Sequence, residues 1–293
     1  MTRYPVGQMA TKRLLVSGAS GTLGGPLTER AEAAGWDVTG TYFSRPDRIR
    51  AGTPVQIDLR DEAAVRALAH ESQPDVIINA AVTERSGPGY EDAIRLSGQH
   101  LAHAAREVGA RLIALSTDLV FDGAQDVYTE DSPAQPMANS VYGQAKVDYE
   151  QDVRVIYPST LVVRTSLIYD FDRDNAQVGW MLRALERGES LTLYTDQFRC
   201  PIWAVNLADA LLELAVRDES GLLHVVGPAL VSRNKLGCAL LAALGIDPAA
   251  HVTPALAPDT HPRRLHLSVE RAQALLSTPL LTLAEARASW EDG

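Results

Sequence analysis

A tyrosine and a lysine four residues apart, Tyr142 and Lys146, form the pair in this sequence best suited to acid–base chemistry. Residues four apart share one face of a helix, so the ammonium would lie beside the phenol. A positive charge in that place stabilises the tyrosinate and lowers the phenol pKa from its ordinary value of about 10. Such a phenol can pass a proton to or from an oxygen while a hydride moves at the adjacent carbon.

A glycine-rich turn near the start of the chain suggests where a dinucleotide would bind. It follows an apolar run and precedes an amphipathic one, as a dinucleotide-binding turn must. Glycines let the backbone approach a pyrophosphate closely, and the start of the next helix then faces the anion. The alternative is a turn that is rich in glycine for geometry alone. The expected cofactor-binding residues of this turn are Gly18, Ser20, Gly21, Thr22, Leu23 and Gly24.

The residues after the second and third apolar runs bear on the choice of cofactor. A NAD site usually carries an acid about 20 residues beyond the turn, and the segment 41–45 has no carboxylate. Ser44 and Arg45 could accept a 2′-phosphate instead, although Arg45 could also be an ordinary exposed loop arginine. Asp58, followed by Leu59, could accept from the adenine amino group or cap the next helix. The expected cofactor is NADPH, with NADH possible.

Composition limits the class of protein. The 293 residues, 46% of them hydrophobic, suffice for one large α/β domain or one domain with a smaller annex. A formal net charge of -10 and a pI of about 5.2 argue against nucleic acid as a partner. No segment approaches the roughly 20 apolar residues that span a bilayer, so no membrane association is expected.

The cysteines, the histidines and the N-terminus carry further expectations. Cys200 and Cys238 form no metal-ligand pattern, and two cysteines suit a reducing interior, so a cytoplasmic location is expected. The seven histidines form no ligand cluster, so no metal is expected. The first eight residues lack an apolar signal core and are expected to form a loose leader, with Met9 as a possible true start.

Short apolar runs alternate with helical patterns over the first 168 residues. Strands are predicted at 13–17, 36–42, 54–57, 75–79, 111–116 and 160–164. Helices are predicted at 26–34, 61–71 and 99–107, and around the Tyr142–Lys146 pair. This alternation predicts an α/β fold, a Rossmann-type doubly wound parallel sheet.

The later part of the chain is less regular. Helices are predicted at 178–187, 204–216 and 234–244, a strand at 221–227, and a Pro-rich loop at 254–264. We expect a dinucleotide-binding domain at 12–168, with 199–217 returning to it. The segments 169–198 and 218–293 are expected to form a smaller C-terminal α+β substrate-binding region.

With these pieces placed, the chain resembles the extended short-chain dehydrogenase/reductase superfamily, and within it the dTDP-4-dehydrorhamnose reductases. The resemblance covers nearly the whole chain. The segment 116–123, Ser-Thr-Asp-Leu-Val-Phe-Asp-Gly, is fairly specific for this branch, whereas the Tyr-x-x-x-Lys pair is specific only for the superfamily. Further matches lie at 18–24, 74–81, 128–131, 164–166, 196–197, 201, 206–209, 221–224 and 263–264.

The resemblance implies roles for individual residues. Thr117 would hydrogen-bond the substrate carbonyl, Tyr142 would be the general acid, and Lys146 would bind the nicotinamide ribose and lower the Tyr142 pKa. Ala80 and Ala81 would line the cofactor groove. The implied reaction is reduction of a 4-keto nucleotide sugar by NAD(P)H. Independently of the family, Thr117 follows a strand, where open α/β sheets place ligands; alternatively its hydroxyl bonds locally.

The expected substrate contacts are Thr117, Asp118, Asn175 and Arg264. Asp118 could orient Thr117, touch the substrate, or be a solvated turn acid. Four arginines could pair with a substrate diphosphate or be ordinary surface residues: Arg164, Arg199, Arg263 and Arg264. The expected partner is a small nucleotide-sugar substrate, with a homodimer as a possible assembly.

The sequence departs from the family pattern at three places. Leu119 stands where the family usually has Tyr, Glu84 stands alone where an acidic pair is usual, and Phe198-Arg199 replaces an expected glycine. These departures bear on the sugar and on a metal-bridged dimer, and less on the reductase chemistry. Two alternative functions stay open. One alternative is an epimerase or dehydratase of the same superfamily with a retained NAD. The other is a non-catalytic, cofactor-binding regulatory subunit.

Overall fold

The computed structural model describes residues 11–81, 89–173 and 175–292. The predicted leader at 1–8 and the lone Glu84 lie outside these residues.

The first part of the chain alternates strands and helices as expected. Its strands are β1 (Arg13–Ser17), β2 (Asp37–Tyr42), β3 (Thr53–Gln56), β4 (Val76–Asn79), β5 (Arg111–Thr117), β6 (Leu161–Thr165) and β7 (Ile168–Tyr169). Its helices are α1 (Gly24–Ala33), α2 (Glu62–Ser72), α3 (Tyr90–Val108) and α4 (Val141–Ile156).

The second part has shorter strands. They are β8 (Leu191–Tyr194), β9 (Phe198–Arg199), β10 (Ile202–Trp203), β11 (Gly221–His224), β12 (Val231–Ser232) and β13 (Val252–Ala255). The helices are α5 (Ala176–Glu186), α6 (Ala204–Ala215), α7 (Arg233–Ala243), α8 (Pro248–His251), α9 (Glu270–Leu275) and α10 (Leu283–Glu291).

Seven parallel strands form the central sheet, in the order β11-β6-β5-β4-β1-β2-β3. Alternate strand residues face opposite sides, so Leu14 packs with the layer of α1 and α6 whereas Leu15 packs with the layer of α2, α3 and α4. The chain runs outward from β1 in both directions, and the order reverses between β1 and β4. The predicted doubly wound parallel sheet is thereby confirmed, and a ligand crevice is expected at that reversal.

The C-terminal elements form a second apolar core beside the sheet. It contains Tyr169, Phe171 and Trp203 together with residues of α5, α7 and α10. Short two-stranded ribbons frame it, β10 with β7, β12 with β9, and β13 with β8. Within the described ranges, no helix is long and apolar enough to cross a membrane.

Three element predictions need correction. Helix α3 begins at Tyr90 and not near residue 99, so Gly98 lies inside it. The predicted loop at 254–264 begins within β13, where Pro254 is tolerated because this strand has a partner on one side. Strand β11 was predicted within the substrate-binding region, but it pairs with β6 in the central sheet. The division into two regions stays a prediction, with Gly221–His224 moved to the sheet.

Candidate active site

The carboxyl ends of the central strands bring the predicted site residues to one edge of the sheet. Strand register pairs Ser17 with Asn79, and Ser116 with Arg164. Gly18 therefore follows β1 next to Ala80 and Ala81 after β4, and Thr117 ends β5 on the same edge. This edge is where open α/β sheets bind their ligands.

The glycine-rich turn folds tightly against the end of β4. Gly18 has a φ of +76°, a region that favours glycine, and a Cβ there would lie 2.6 Å from the Cα of Ala81. A Cβ on Gly24 would collide with the backbone of Gly18 and Ala19. The amide of Gly21 donates to the carbonyl of Gly18 at 2.9 Å. Close backbone contacts thus require glycine at position 18, against the end of β4, and at position 24, within the turn.

The start of α1 fits an anionic ligand. No side chain caps its first turn, and no acidic residue lies there. By contrast, the side chains of Asp61 and Ser140 accept hydrogen bonds from the first turns of α2 and α4. Uncapped amides at a helix start are donors for a phosphate, so the turn and the start of α1 fit the pyrophosphate of a dinucleotide. Ser20 and Thr22 are partly buried here, and Leu23 points into the core.

The remaining predicted cofactor residues follow β2 and β3 on the same edge. Ser44 and Arg45 are exposed. Asp58 does not cap α2, because Asp61 does. Instead Asp58 binds the guanidinium of Arg60, which holds the pKa of the Asp58 carboxyl below its usual value. Leu59 is partly buried, and its carbonyl lies 2.9 Å from Nδ1 of His100.

Helix α4 presents Tyr142 and Lys146 to the end of β5. The Lys146 side chain is buried, and its Nζ donates to the carbonyl oxygen of Leu115 at 3.0 Å. Tyr142, one turn earlier, is partly exposed. Between them, Gly143 packs against the backbone of Leu119 so closely that a Cβ would lie 2.5 Å from the Leu119 carbonyl oxygen. This contact brings the first turn of α4 against the segment that follows Thr117.

A buried polar network supports the Lys146 ammonium from below. Nζ of Lys146 lies 4.1 Å from the centre of the Tyr149 ring, a favourable position for a cation over an aromatic face. The Tyr149 hydroxyl accepts from Asn79 at 3.0 Å, and Asn79 accepts from Ser17 at 2.6 Å. Burial raises the pKa of Tyr149, so this phenol stays neutral and serves as a support.

Thr117 is partly exposed and its hydroxyl is engaged locally. Its Oγ1 donates to the carboxylate of Asp118 at 3.3 Å and accepts from the Leu119 amide at 3.2 Å. The first bond is long and is therefore weak. A substrate carbonyl can take this donor if the hydroxyl turns away from Asp118.

Asp118 is fully buried, so the alternative of a solvated turn acid is wrong. Both oxygens of its carboxylate bind the guanidinium of Arg199, and the Ser166 hydroxyl donates to it as well. Asp118 also accepts the long bond from Thr117, so the interpretation that it orients Thr117 stays a prediction. A direct substrate contact by Asp118 stays a prediction.

Two other arginines considered for a diphosphate, Arg164 and Arg263, have carboxylate partners. Arg164 is buried and forms a bidentate pair with Glu150, which also accepts from Ser116. Arg263 pairs with Asp196 and Asp259. The alternative of surface arginines with solvent counterions is therefore wrong for Arg164 and for Arg199, which are both buried.

The two remaining predicted substrate contacts lie in the C-terminal region. Asn175 is buried and caps α5: its Oδ1 accepts from the amides of Gln177 and Val178, and its Nδ2 donates to the carbonyls of Asp170 and Asp172. These bonds occupy the Asn175 amide, so a substrate contact there stays a prediction. Arg264 is exposed, and its backbone forms an isolated β-bridge with Phe198 on β9.

An open groove of about 620 Å³ lies beside the segment that follows Thr117. The groove is lined by residues 122–124, 135–138, 259 and 261–263. The described parts of the chain contain no group of three or more His, Cys, Asp or Glu side chains arranged to hold a metal ion.

Three supporting contacts were not predicted from the sequence. They are the hydrogen bond of Ser166 to Asp118, the Tyr149 ring beneath Lys146, and the ion pair of Arg199 with Asp118. Tyr149 carries a local signal, because it lies three residues after Lys146 on the same helical face. No sequence signal joins Arg199 to Asp118, since 81 residues separate them.

Comparisons with known proteins agree with this geometry. A family model described as the RmlD substrate binding domain matches residues 12–288. A dTDP-4-dehydrorhamnose reductase of Streptomyces griseus is 34% identical over 297 residues, which cover 96% of this chain and 91% of that protein. A methionine adenosyltransferase 2 subunit beta of Xenopus laevis is 31% identical over 258 residues, covering 83% of this chain and 75% of that protein.

A solved structure shares the fold. The crystal structure of dTDP-4-dehydrorhamnose reductase from Bacillus anthracis in complex with NADP superposes with a TM-score of 0.79 at 21% identity, and the match covers 96% of this chain and 99% of that one. At this identity the likeness shows the fold alone. The family match over nearly the whole chain and the relatives above 30% identity show more: this chain belongs to the RmlD substrate binding domain family, within the extended short-chain dehydrogenase/reductases.

Proposed function

We propose that this protein is an NADPH-dependent reductase that converts the 4-keto group of a nucleotide-activated deoxysugar to a hydroxyl. The observation that carries the proposal is that three residues lie at one edge of the sheet: Thr117 at the end of β5, Lys146 bonded to the same strand, and Tyr142 one helical turn before Lys146. The relatives named as dTDP-4-dehydrorhamnose reductases support the same substrate class.

The glycine-rich turn and the start of α1 would hold the cofactor pyrophosphate. When bound, the dihydronicotinamide supplies the hydride that goes to the carbonyl carbon of the sugar. Thr117 would donate a hydrogen bond to the carbonyl oxygen, and Tyr142 would transfer its proton to that oxygen. Lys146 would stabilise the tyrosinate left behind and bind the nicotinamide ribose. The proton and the hydride together balance the conversion of the ketone to the alcohol.

NADPH is favoured over NADH by the segment after β2. No carboxylate stands there to repel a 2′-phosphate, and the exposed Ser44 and Arg45 could meet one. The solved relative with NADP bound supports this cofactor. Asp58 and Leu59, at the end of β3, would lie toward the adenine.

Turnover of NADPH with a panel of 4-keto nucleotide sugars tests the proposal. Wild type should oxidise NADPH with at least one sugar, and Tyr142→Phe should lose roughly 10²- to 10⁴-fold in rate while it still binds NADPH. Lys146→Met should lose both turnover and NADPH affinity. A near-normal rate for Tyr142→Phe would show that another group is the acid.

A non-catalytic regulatory subunit is the second candidate, since the Xenopus laevis relative is named as subunit beta of methionine adenosyltransferase 2. Tight NADPH binding with no turnover of any sugar would favour it. An epimerase or dehydratase would instead be purified with NAD retained. We also infer a cytoplasmic location, which the biosynthetic relatives support, and the predicted homodimer is testable by the mass of the protein in solution.

A further inference from the structure

Arg233, the first residue of α7, lies next to the Arg199–Asp118 pair. Strand β12 runs antiparallel to β9, with Val231 opposite Arg199. The Arg233 amide continues this pairing and donates to the carbonyl of Gln197 at 2.9 Å. Arg233 is thereby fixed beside these buried charges.

Among the residues that the structure describes, no carboxylate forms an ion pair with Arg233. Its guanidinium donates to the neutral side chain of Gln177 at 3.0 Å. Burial, together with the neighbouring charge of Arg199, lowers the pKa of Arg233 to about 10, with Asp118 acting in the opposite direction.

Arg233 differs from the two buried arginines nearby in the partner of its guanidinium. Arg164 and Arg199 are buried deeper, and each has a bidentate carboxylate partner. A desolvated guanidinium without such a partner carries an electrostatic cost that an incoming anion would remove. Arg233 keeps some exposure to solvent, so a ligand can reach it. Its planar fork matches the oxygens of a phosphoryl group in two parallel hydrogen bonds.

We propose that Arg233 binds a phosphoryl group of the nucleoside diphosphate carried by the substrate. This inference rests on the proposed function, because it places the anion of a nucleotide sugar near the Thr117 end of the cleft. The cofactor also carries phosphates, but its turn follows β1, whereas Arg233 pairs with β9 in the C-terminal region. Arg233 would therefore help to select nucleotide-activated sugars over free sugars.

Calorimetric titration of four probes tests the proposal: dTDP, UDP, thymidine and NADPH. Arg233→Gln should weaken dTDP and UDP by roughly 10- to 100-fold, as expected for loss of charge-assisted hydrogen bonds. Thymidine and NADPH affinity should stay unchanged. The control Arg287→Gln removes an exposed guanidinium that pairs with Glu291 on α10 and should change none of the four.

Arg233→Lys keeps the charge and the fold but loses the fork, so it should weaken dTDP by several-fold even if Arg233→Gln proves unstable. Unchanged dTDP and UDP affinity in both variants, or no affinity in wild type, would overturn the proposal. An equal loss of NADPH affinity would assign Arg233 to the cofactor and would also overturn it.

The kinetics separate this inference from the proposed function. If the protein reduces a keto sugar and the KM for that sugar does not depend on Arg233, the proposed reductase function holds and the proposed phosphoryl contact of Arg233 is wrong. Conversely, dTDP binding that depends on Arg233 without turnover of any keto sugar would overturn the reductase and retain the nucleotide contact.

Discussion

The guanidinium of Arg199 binds both carboxylate oxygens of Asp118, and this pair joins β9 to the carboxyl end of β5. Asp118 is fully buried, and its neighbour Thr117 donates to the same carboxylate. Because Arg199 and Ser166 are the close partners of this carboxylate, Thr117 keeps only a long bond to it. The ion pair thus leaves the Thr117 hydroxyl only weakly engaged with this carboxylate.

Arg199→Gln should destabilise the protein and slow turnover. The substitution leaves a buried carboxylate without its cation, a loss worth about 3–5 kcal/mol for comparable buried pairs. Thr117 would also be drawn toward Asp118. Denaturant unfolding gives the first effect, and kcat at a temperature where the variant is folded gives the second.

The double variant Arg199→Gln, Asp118→Asn serves as the control, because it removes both charges together. It should be more stable than Arg199→Gln alone. A cost for Arg199→Gln no larger than that of Arg287→Gln would show that the buried pair contributes little.

Tyr149→Leu should weaken NADPH binding and turnover more than Tyr149→Phe does. Phe keeps the aromatic face 4.1 Å below the Lys146 ammonium, whereas Leu removes it. Phe loses only the hydrogen bond from Asn79, worth about 1 kcal/mol of stability. The dissociation constant of NADPH for the two variants decides the point. Equal losses would mean that the ring does not position Lys146.

Arg45→Ala should weaken NADPH by roughly 5- to 50-fold and leave NADH largely unchanged. Arg45 is exposed beyond the end of β2, where a 2′-phosphate is expected. Michaelis constants for both cofactors measure the effect. Arg30→Ala is the matched control, since Arg30 lies on α1 but is bound by Asp209. If both cofactors were weakened equally, Arg45 would support the loop and would not read the phosphate.

His224 should make the protein less stable as the pH falls below about 6.5. Burial, together with the charge of Arg164, lowers the pKa of His224 to about 3. Between pH 6.5 and 3 the unfolded chain binds a proton at this residue that the folded chain does not, so stability decreases with falling pH.

His224→Leu should remove this part of the pH dependence. Neither ring nitrogen of His224 has a hydrogen-bond partner in the described structure, so Leu should cost little at pH 7. From pH 6.5 to 5, wild type should lose up to about 2 kcal/mol more unfolding free energy than the variant. Parallel pH profiles for the two proteins would contradict the assignment.

The elements that carry a periodic apolar pattern were predictable, and those held by distant contacts were not. Strands such as β4 and β5 are short apolar runs whose partners follow from the βα alternation. Helix α3 begins earlier in the chain than predicted, and Gly98 is accommodated inside it because its missing side chain makes room for Tyr149. Helix α10 was missed although Thr282 and Glu285 form a capping box at its start.

The candidate site divides in the same way. Local spacing in the sequence was enough to predict Tyr142, Lys146 and the glycines of the turn as site residues. The partner of Asp118 does not, because the Arg199 contact depends on how β9 folds back against the sheet. A buried ion pair between two distant segments produces no periodic pattern in the sequence of either segment.

The contact between Gly98 and the Tyr149 ring places a constraint on a helix that supplies none of the proposed catalytic or cofactor-binding residues. A methyl group at position 98 would overlap the edge of this ring, and the ring lies directly beneath the Lys146 ammonium. Helix α3 therefore constrains the position of the Lys146 ammonium through a single layer of side-chain packing, the Tyr149 ring. In a library that randomises α3, position 98 should tolerate as few side chains as a proton-transferring residue does, although its role is only to leave room for a ring.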